Sequence, residues 1–178
     1  MRQKLILIRG LGHSGTTILD LILGAHSSII GIGEGIRTLR GTIKKDTMPQ
    51  KIRSEEGYKI QCTCGKIVKY CDIWGNTIQY LISNDNKNLS EKFSYLSERI
   101  YKVYGNDKLI VDSSQSDWDS ITDLNEKYDI KILFLTRDIR SWVNSVTKKY
   151  NGNIIKNIWT WNRTYMRLEN FLTKNKID

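Results

Sequence analysis

Two stretches of this 178-residue chain carry residue types and spacings suited to holding anions. The first is Gly10-Leu-Gly-His-Ser-Gly-Thr-Thr17. It follows an apolar run, Leu5-Ile-Leu-Ile8, and leads into Ile18, Leu19, Ile22 and Leu23 at helical spacing. A strand, a glycine loop and a helix N-terminus together make a phosphate cradle: glycines let several backbone N–H groups converge, and the helix end adds partial positive charge. The second is Arg137-Asp-Ile-Arg-Ser-Trp-Val-Asn-Ser145, after the apolar run that ends at Thr136. An arginine fork and a helix hydroxyl can share one anion. Taken singly, each stretch also fits a tight turn, a local Arg137-Asp138 ion pair or an ordinary polar helix serine.

The loop fits the frame G-x-x-x-x-G, but Thr16-Thr17 stand where a triphosphate-binding loop carries Lys-Ser/Thr. That lysine reaches the β- and γ-phosphates. Its absence points to a ligand with one 5′-phosphate group rather than a triphosphate tail, and it removes the usual need for magnesium.

The elements that position these residues follow from four nearly continuous apolar runs, Lys4–Arg9, Ser28–Gly33, Lys108–Asp112 and Lys131–Thr136. Such runs are expected of strands covered on both faces. Between them Leu89, Phe93, Leu96, Ile100 and Val103 recur at helical spacing, with Ser90 as the expected N-cap. Alternating strands and helices predict one α/β domain over residues 1–178, three-layered, with a mostly parallel sheet and a P-loop-like phosphate-binding loop after the first strand. Ligands collect at the carboxyl ends of such strands. There the chain places the glycine loop, Glu34, Asp112-Ser-Ser114 and Arg137. Residues 35–75 read as an irregular lid or substrate loop. A last helix is expected over 153–174, with Ile154, Ile158, Trp161, Tyr165, Leu168 and Leu172 on one stripe.

Composition narrows the classes. Hydrophobic residues make up 39% of the chain, and mean hydropathy is −0.43. No apolar run spans a membrane, and Arg9 interrupts the N-terminal run before it reaches signal-peptide length. A cytoplasmic protein with reduced thiols is the expectation. The net charge of +9 is uneven: residues 1–70 carry +7, residues 71–147 carry −3 and residues 148–178 carry +5. The excess sits at the glycine loop and the last helix. It suits a multiply anionic small ligand, and no basic-aromatic motif argues for nucleic acid. The three cysteines spell C-x-C-x6-C, and only His13 and His26 are left to complete a zinc set. No metal is expected on that arithmetic; a packed or substrate-proximal thiol cluster is.

In these motifs the chain resembles the sulfotransferases that use 3′-phosphoadenosine 5′-phosphosulfate (PAPS). Gly12-His-Ser-Gly-Thr-Thr17 resembles their 5′-phosphosulfate loop, and Arg137-Asp-Ile-Arg140 with Ser145 resembles their 3′-phosphate motif. Ala25-His26, Gly33-Glu34, Cys62-Thr-Cys-Gly65, Cys71-Asp-Ile-Trp74 and Val111-Asp-Ser-Ser114 resemble segments of bacterial members. The similarity runs from about residue 4 to residue 165. It implies in-line sulfuryl transfer from PAPS to an acceptor hydroxyl or amine, with no covalent enzyme intermediate and no metal. Gly12, His13, Ser14, Gly15, Thr16 and Thr17 would hold the 5′-phosphosulfate, and Arg137 and Ser145 the 3′-phosphate. Glu34 would be the base. His13, where many relatives carry Arg or Lys, would assist the leaving group. Relatives continue past the last helix with a further strand and a basic loop, so a chain shortened at the C-terminus is expected. A P-loop nucleotide kinase or NTPase, and an inactive nucleotide-binding remnant, are the rival readings. The acceptor is not legible.

Overall fold

A computed structural model describes residues 2–40, 60–115 and 117–175. The elements run β1 (Gln3–Gly10), α1 (Thr16–Gly24), β2 (Ile29–Gly31), α2 (Gly35–Arg40), α3 (Trp74–Ser83), α4 (Leu89–Tyr104), β3 (Leu109–Asp112), α5 (Asp119–Leu124), β4 (Tyr128–Leu135), α6 (Ile139–Tyr150) and α7 (Ile154–Asn175). A 3-10 turn, Val68–Tyr70, precedes α3. The four strands form one all-parallel sheet in the order β2-β3-β1-β4. Helices flank it on both faces, giving a three-layer α/β architecture.

Alternation along β1 divides the two faces. Leu5 and Leu7 point into a core shared with Ile110, Ile36, Leu39, Phe93, Leu96 and Ile100, so α2 and α4 cover that side. Ile8 is equally buried on the opposite side, where α1 packs across β1, β2 and β3. Burial on both faces is why β1 and β3 read as continuous apolar runs. β4 is an edge strand and starts earlier than its apolar run suggests, because the ladder with β1 extends in register from Gln3 opposite Tyr128 to Gly10 opposite Leu135.

Two details differ from the sequence expectation. The cap of α4 is Asn88, whose side chain accepts the Glu91 N–H at 2.9 Å while the Glu91 carboxylate accepts the Asn88 N–H at 3.2 Å. This reciprocal pair satisfies two end donors at once, which Ser90 cannot do from inside the first turn. The apolar stripe of α1 also faces outward: Ile18 and Ile22 are exposed, and Thr16 and Asp20 are the buried residues. Within 35–75, Gly35–Arg40 is helical; the part of that stretch from 41 to 59 lies outside the described residues. Ile154 and Ile158 are exposed, and α7 seats itself through Trp161, Tyr165 and Leu168.

The sheet's carboxyl edge is tied by a buried ion pair. Arg9 Nη1 meets Asp112 Oδ1 at 3.0 Å, and both side chains are fully buried. Arg9 also donates to Ile8 O, Asp117 O and Ser120 Oγ. Asp112 accepts from Ser114 N, Ser114 Oγ and Ile36 N. The charges are thus nearly saturated with partners, the condition under which such a pair is tolerated in a core. Arg9→Met leaves Asp112 a buried, uncompensated carboxylate and is expected to cost about 3–5 kcal/mol in denaturant unfolding. A loss below about 1 kcal/mol would refute the network's role.

Candidate functional site

The glycine loop, Glu34 and Arg137 line one open cleft of about 680 Å3 at the carboxyl ends of the strands. That volume lies within the range of small-molecule sites. Gly12, His13, Gly15, Thr16 and Thr17 form one wall, Glu34 and Arg37 a second, and Arg137 with Trp142, Val146, Lys149 and Tyr150 a third.

The loop turns where its backbone takes left-handed conformations. Gly15, just before α1, has φ +98°, which suits glycine, and His13 adopts φ +68° despite its side chain. The loop carbonyls are tied toward α6: Trp142 Nε1 donates to Gly12 O at 2.6 Å and Arg137 Nη1 to His13 O at 2.8 Å. Such bonds fix the peptide planes. The N–H groups of the first turn of α1 have no intrahelical acceptor and carry the helix's positive end. Thr16 is buried and Thr17 exposed at the mouth.

His13 Nε2 lies 3.2 Å from the Tyr150 hydroxyl, with the two rings edge to face. Partial burial, and then the charges of Lys149 and Arg137, hold its imidazole below the ordinary 6.5. It is therefore neutral at pH 7 and offers an N–H rather than a full charge. Glu34 Oε2 accepts from Arg37 Nη1 at 2.8 Å, in a pair open to solvent. Three permanent cations (Arg37, Arg137, Lys149) face one carboxylate, so the cleft attracts anions.

Not every expected residue joins the lining. Ser14 Oγ is buried beneath the loop and has no hydrogen-bond partner among the described residues. It lies close to the Tyr165 hydroxyl, which also lacks a well-formed bond. Ser145 is half-buried on α6, to one side of the stripe that faces the cleft. Asp112, Ser113 and Ser114 are buried and serve as scaffold. The Ser114 hydroxyl accepts the Arg37 N–H at 3.0 Å, and Asp112 accepts that of Ile36 at 2.8 Å. Together they fix the first turn of α2 beside Glu34.

Lys149, Tyr150 and Trp142 escaped the sequence reading. Their signal was present: positions 142, 146, 149 and 150 lie on one helical face downstream of Arg137. A second cavity of about 410 Å3 adjoins the first through Arg37 and Gln115 and reaches Trp118 and Asp119.

Asp20, on α1, was likewise unforeseen. Its Oδ2 accepts the Gly33 N–H at 3.2 Å and so holds the turn before Glu34, while Oδ1 is buried without a partner among the described residues. A Cβ on Gly31 would stand 3.2 Å from Asp20 Oδ1, so glycine permits this approach. Burial pushes the Asp20 carboxyl up to about 6, the Gly33 bond opposes this, and nearby Asp112 adds to it.

No protein-family model matches the chain, and no curated protein does. Among solved structures it is similar to the sulfotransferase domain from the curacin biosynthetic pathway, with 16% identity and a TM-score of 0.49. The superposition covers 97% of this chain and 63% of that one. This chain thus spans less than two thirds of that neighbour's length.

The raised Asp20 value fixes a sign. Its contribution to stability is complete below about pH 4 and is lost as pH rises through about 6, so at pH 7 the ionised form costs up to about 3 kcal/mol. Asp20→Asn is expected to raise the melting temperature at pH 7 and to leave it unchanged or lower at pH 4. An equal shift at both values would contradict the assignment.

Proposed function

We propose that this chain is a sulfotransferase that moves a sulfuryl group from PAPS to an acceptor hydroxyl or amine. The observation that carries the reading is the shared cationic cleft of the glycine loop, Glu34 and Arg137. The first-turn amides of α1, with Thr16 and Thr17, take the 5′-phosphosulfate, and Ser14 contributes from within the loop. Arg137, with Ser145 behind it on α6, takes the 3′-phosphate. A threonine where a triphosphate loop has lysine supports one phosphate group at the 5′ end.

In this reading the acceptor oxygen or nitrogen attacks sulfur in line. The new bond to sulfur forms as the bond from sulfur to the bridging phosphate oxygen breaks. Glu34 accepts the proton that the acceptor loses. To do so it exchanges Arg37 for the acceptor, and the freed guanidinium remains beside the transferring group. His13, neutral before the nucleotide arrives, donates an N–H to the bridging oxygen as charge builds there. The adjoining cavity that shares Arg37 and Gln115 lies where an acceptor could approach Glu34.

Calorimetry with adenosine 3′,5′-bisphosphate, AMP and ATP tests the donor. The bisphosphate should bind most tightly, and Arg137→Ala or Ser145→Ala should erase its advantage over AMP, by about 10-fold or more for the arginine. Preference for ATP would favour a nucleotide kinase or NTPase. Turnover of labelled PAPS with an acceptor panel tests the chemistry. Glu34→Gln should lower kcat about 10²–10⁴-fold with bisphosphate affinity within about 3-fold of wild type. Tight nucleotide binding with no turnover by the wild type would favour an inactive remnant.

Anion binding beside His13 should raise the imidazole value that partial burial, and after it Lys149 and Arg137, now depress. Bisphosphate binding near pH 6 is therefore expected to take up protons, seen as a dependence of the heat on buffer ionisation. His13→Asn, which tolerates the left-handed backbone, should remove that dependence. Unchanged proton uptake in the variant would exclude His13 as its source.

A further inference from the structure

We infer that Cys62, Cys64 and Cys71 form a zinc site. Their sulfurs, separated by one and six residues in sequence, lie within 4.8 Å of one another, and none is in a disulfide. Tetrahedral zinc with Zn–S bonds of about 2.3 Å sets neighbouring sulfurs about 3.8 Å apart, so a small contraction closes the set. A disulfide would use only two of the three.

The backbone around the cluster is shaped for thiolates. Cys62 N–H donates to Lys66 O at 2.8 Å, and Gly65 N–H to Cys62 O at 2.9 Å. Gly65 takes φ +83°, and an antiparallel bridge joins Gln61 to Ile67, so Cys62 and Cys64 sit at the tip of a tight hairpin. Cys71 joins them from just after the 3-10 turn. Its Sγ accepts the Trp74 N–H at 3.4 Å, at the start of α3. The Cys64 N–H faces Cys62 Sγ, and the Lys66 N–H faces Cys64 Sγ. Each sulfur thus meets a backbone donor, the kind of outer bond that steadies metal-bound thiolates. The Lys66 ammonium, paired with Asp72 at 2.7 Å, lies near Cys64 and Cys71.

Neither histidine is available. His13 is engaged with Tyr150 in the cleft, and His26 Nδ1 accepts the Ser28 N–H at 3.1 Å. Among the described residues no fourth side chain joins the three sulfurs, so water completes the set, reaching the cluster on the exposed Cys64 side through a cavity of about 210 Å3. On binding, three thiols each release a proton to solvent, three S–Zn bonds form, and the ion keeps one water. Ile30 and Ile32 line the same cavity, so the metal clamps the hairpin and the start of α3 against the β2 edge of the sheet. This inference does not depend on the proposed sulfotransfer.

Metal analysis of protein purified without chelator should find one zinc per chain, and none in the Cys62→Ser/Cys64→Ser/Cys71→Ser variant. Anaerobic reconstitution with cobalt should give thiolate-to-cobalt charge-transfer bands and intense tetrahedral d–d bands. Chelator should lower the melting temperature of the wild type but not of Cys64→Ser, which alters an exposed side chain and is expected to fold. Three outcomes would each overturn the site: equal zinc in wild type and triple variant, no cobalt spectrum after reconstitution, or three thiols that react with a thiol reagent equally fast with and without zinc.

Discussion

The buried Arg9–Asp112 pair is the constraint from which the rest of the carboxyl edge is built. It joins the two central strands just where their ladder ends, and every remaining polar atom of the pair is used to place a neighbouring element. Arg9 reaches Asp117 and Ser120 at the entry to α5. Asp112 holds the Ile36 amide at the start of α2, and through Ser114 the Arg37 amide beside it. Glu34 and Arg37 therefore project into the cleft from a turn whose position is set by a charge that water does not reach. Replacing such a pair with apolar residues need not destabilise a fold. The geometric information it gives α2 would be lost, however, because apolar packing does not orient an amide.

The opposite wall is fixed differently. No buried ion pair is needed among these residues; peptide carbonyls of the glycine loop accept from Trp142 and Arg137. Trp161 on α7 then donates to the Arg137 carbonyl at 3.2 Å and packs on Tyr165. Loop, α6 and α7 form one connected wall in which Arg137 is both a support and a cleft-lining cation. Since one of its nitrogens is committed to His13 O, an anion there meets the remaining donors of the fork at a fixed angle.

Much of this architecture was legible in the sequence because it depends on short-range patterning. Strands buried on both faces declare themselves as apolar runs, as β1 and β3 do, and the half-exposed edge strand β4 reads the same way. The glycine loop is local, so its place between β1 and α1 followed from the chain alone. What the sequence concealed depends on partners remote in the chain. Arg9 reads as the residue that ends an apolar run, yet three of its four acceptors lie more than a hundred residues away. Asp20 reads as the polar face of an amphipathic helix, but α1 turns Thr16 and Asp20 inward and Ile18 and Ile22 outward. Asp112 looks like a strand-end ligand and proves to be scaffold. The Asn88 cap was missed for a local reason: Ser90 is a good cap by type, and only the reciprocal bond to Glu91 decides between them.

The described residues on either side of 41–59 are both anchored. Arg40, its last described neighbour on one side, pairs with Asp117 and Asp123 at 2.7 and 2.6 Å. On the other side Ile60 O accepts the Val68 N–H at 2.7 Å, beside the cysteine hairpin. Arg40 is thereby tied to the loop whose backbone Arg9 holds, and Ile60 to the hairpin whose tip carries two of the three clustered thiols. Sequence between such fixed points can change length and composition at modest entropic cost, since closure cost grows only slowly with loop length. The cleft walls are built around β1, α2, α6 and α7, so only the α2 wall shares an element with either anchor.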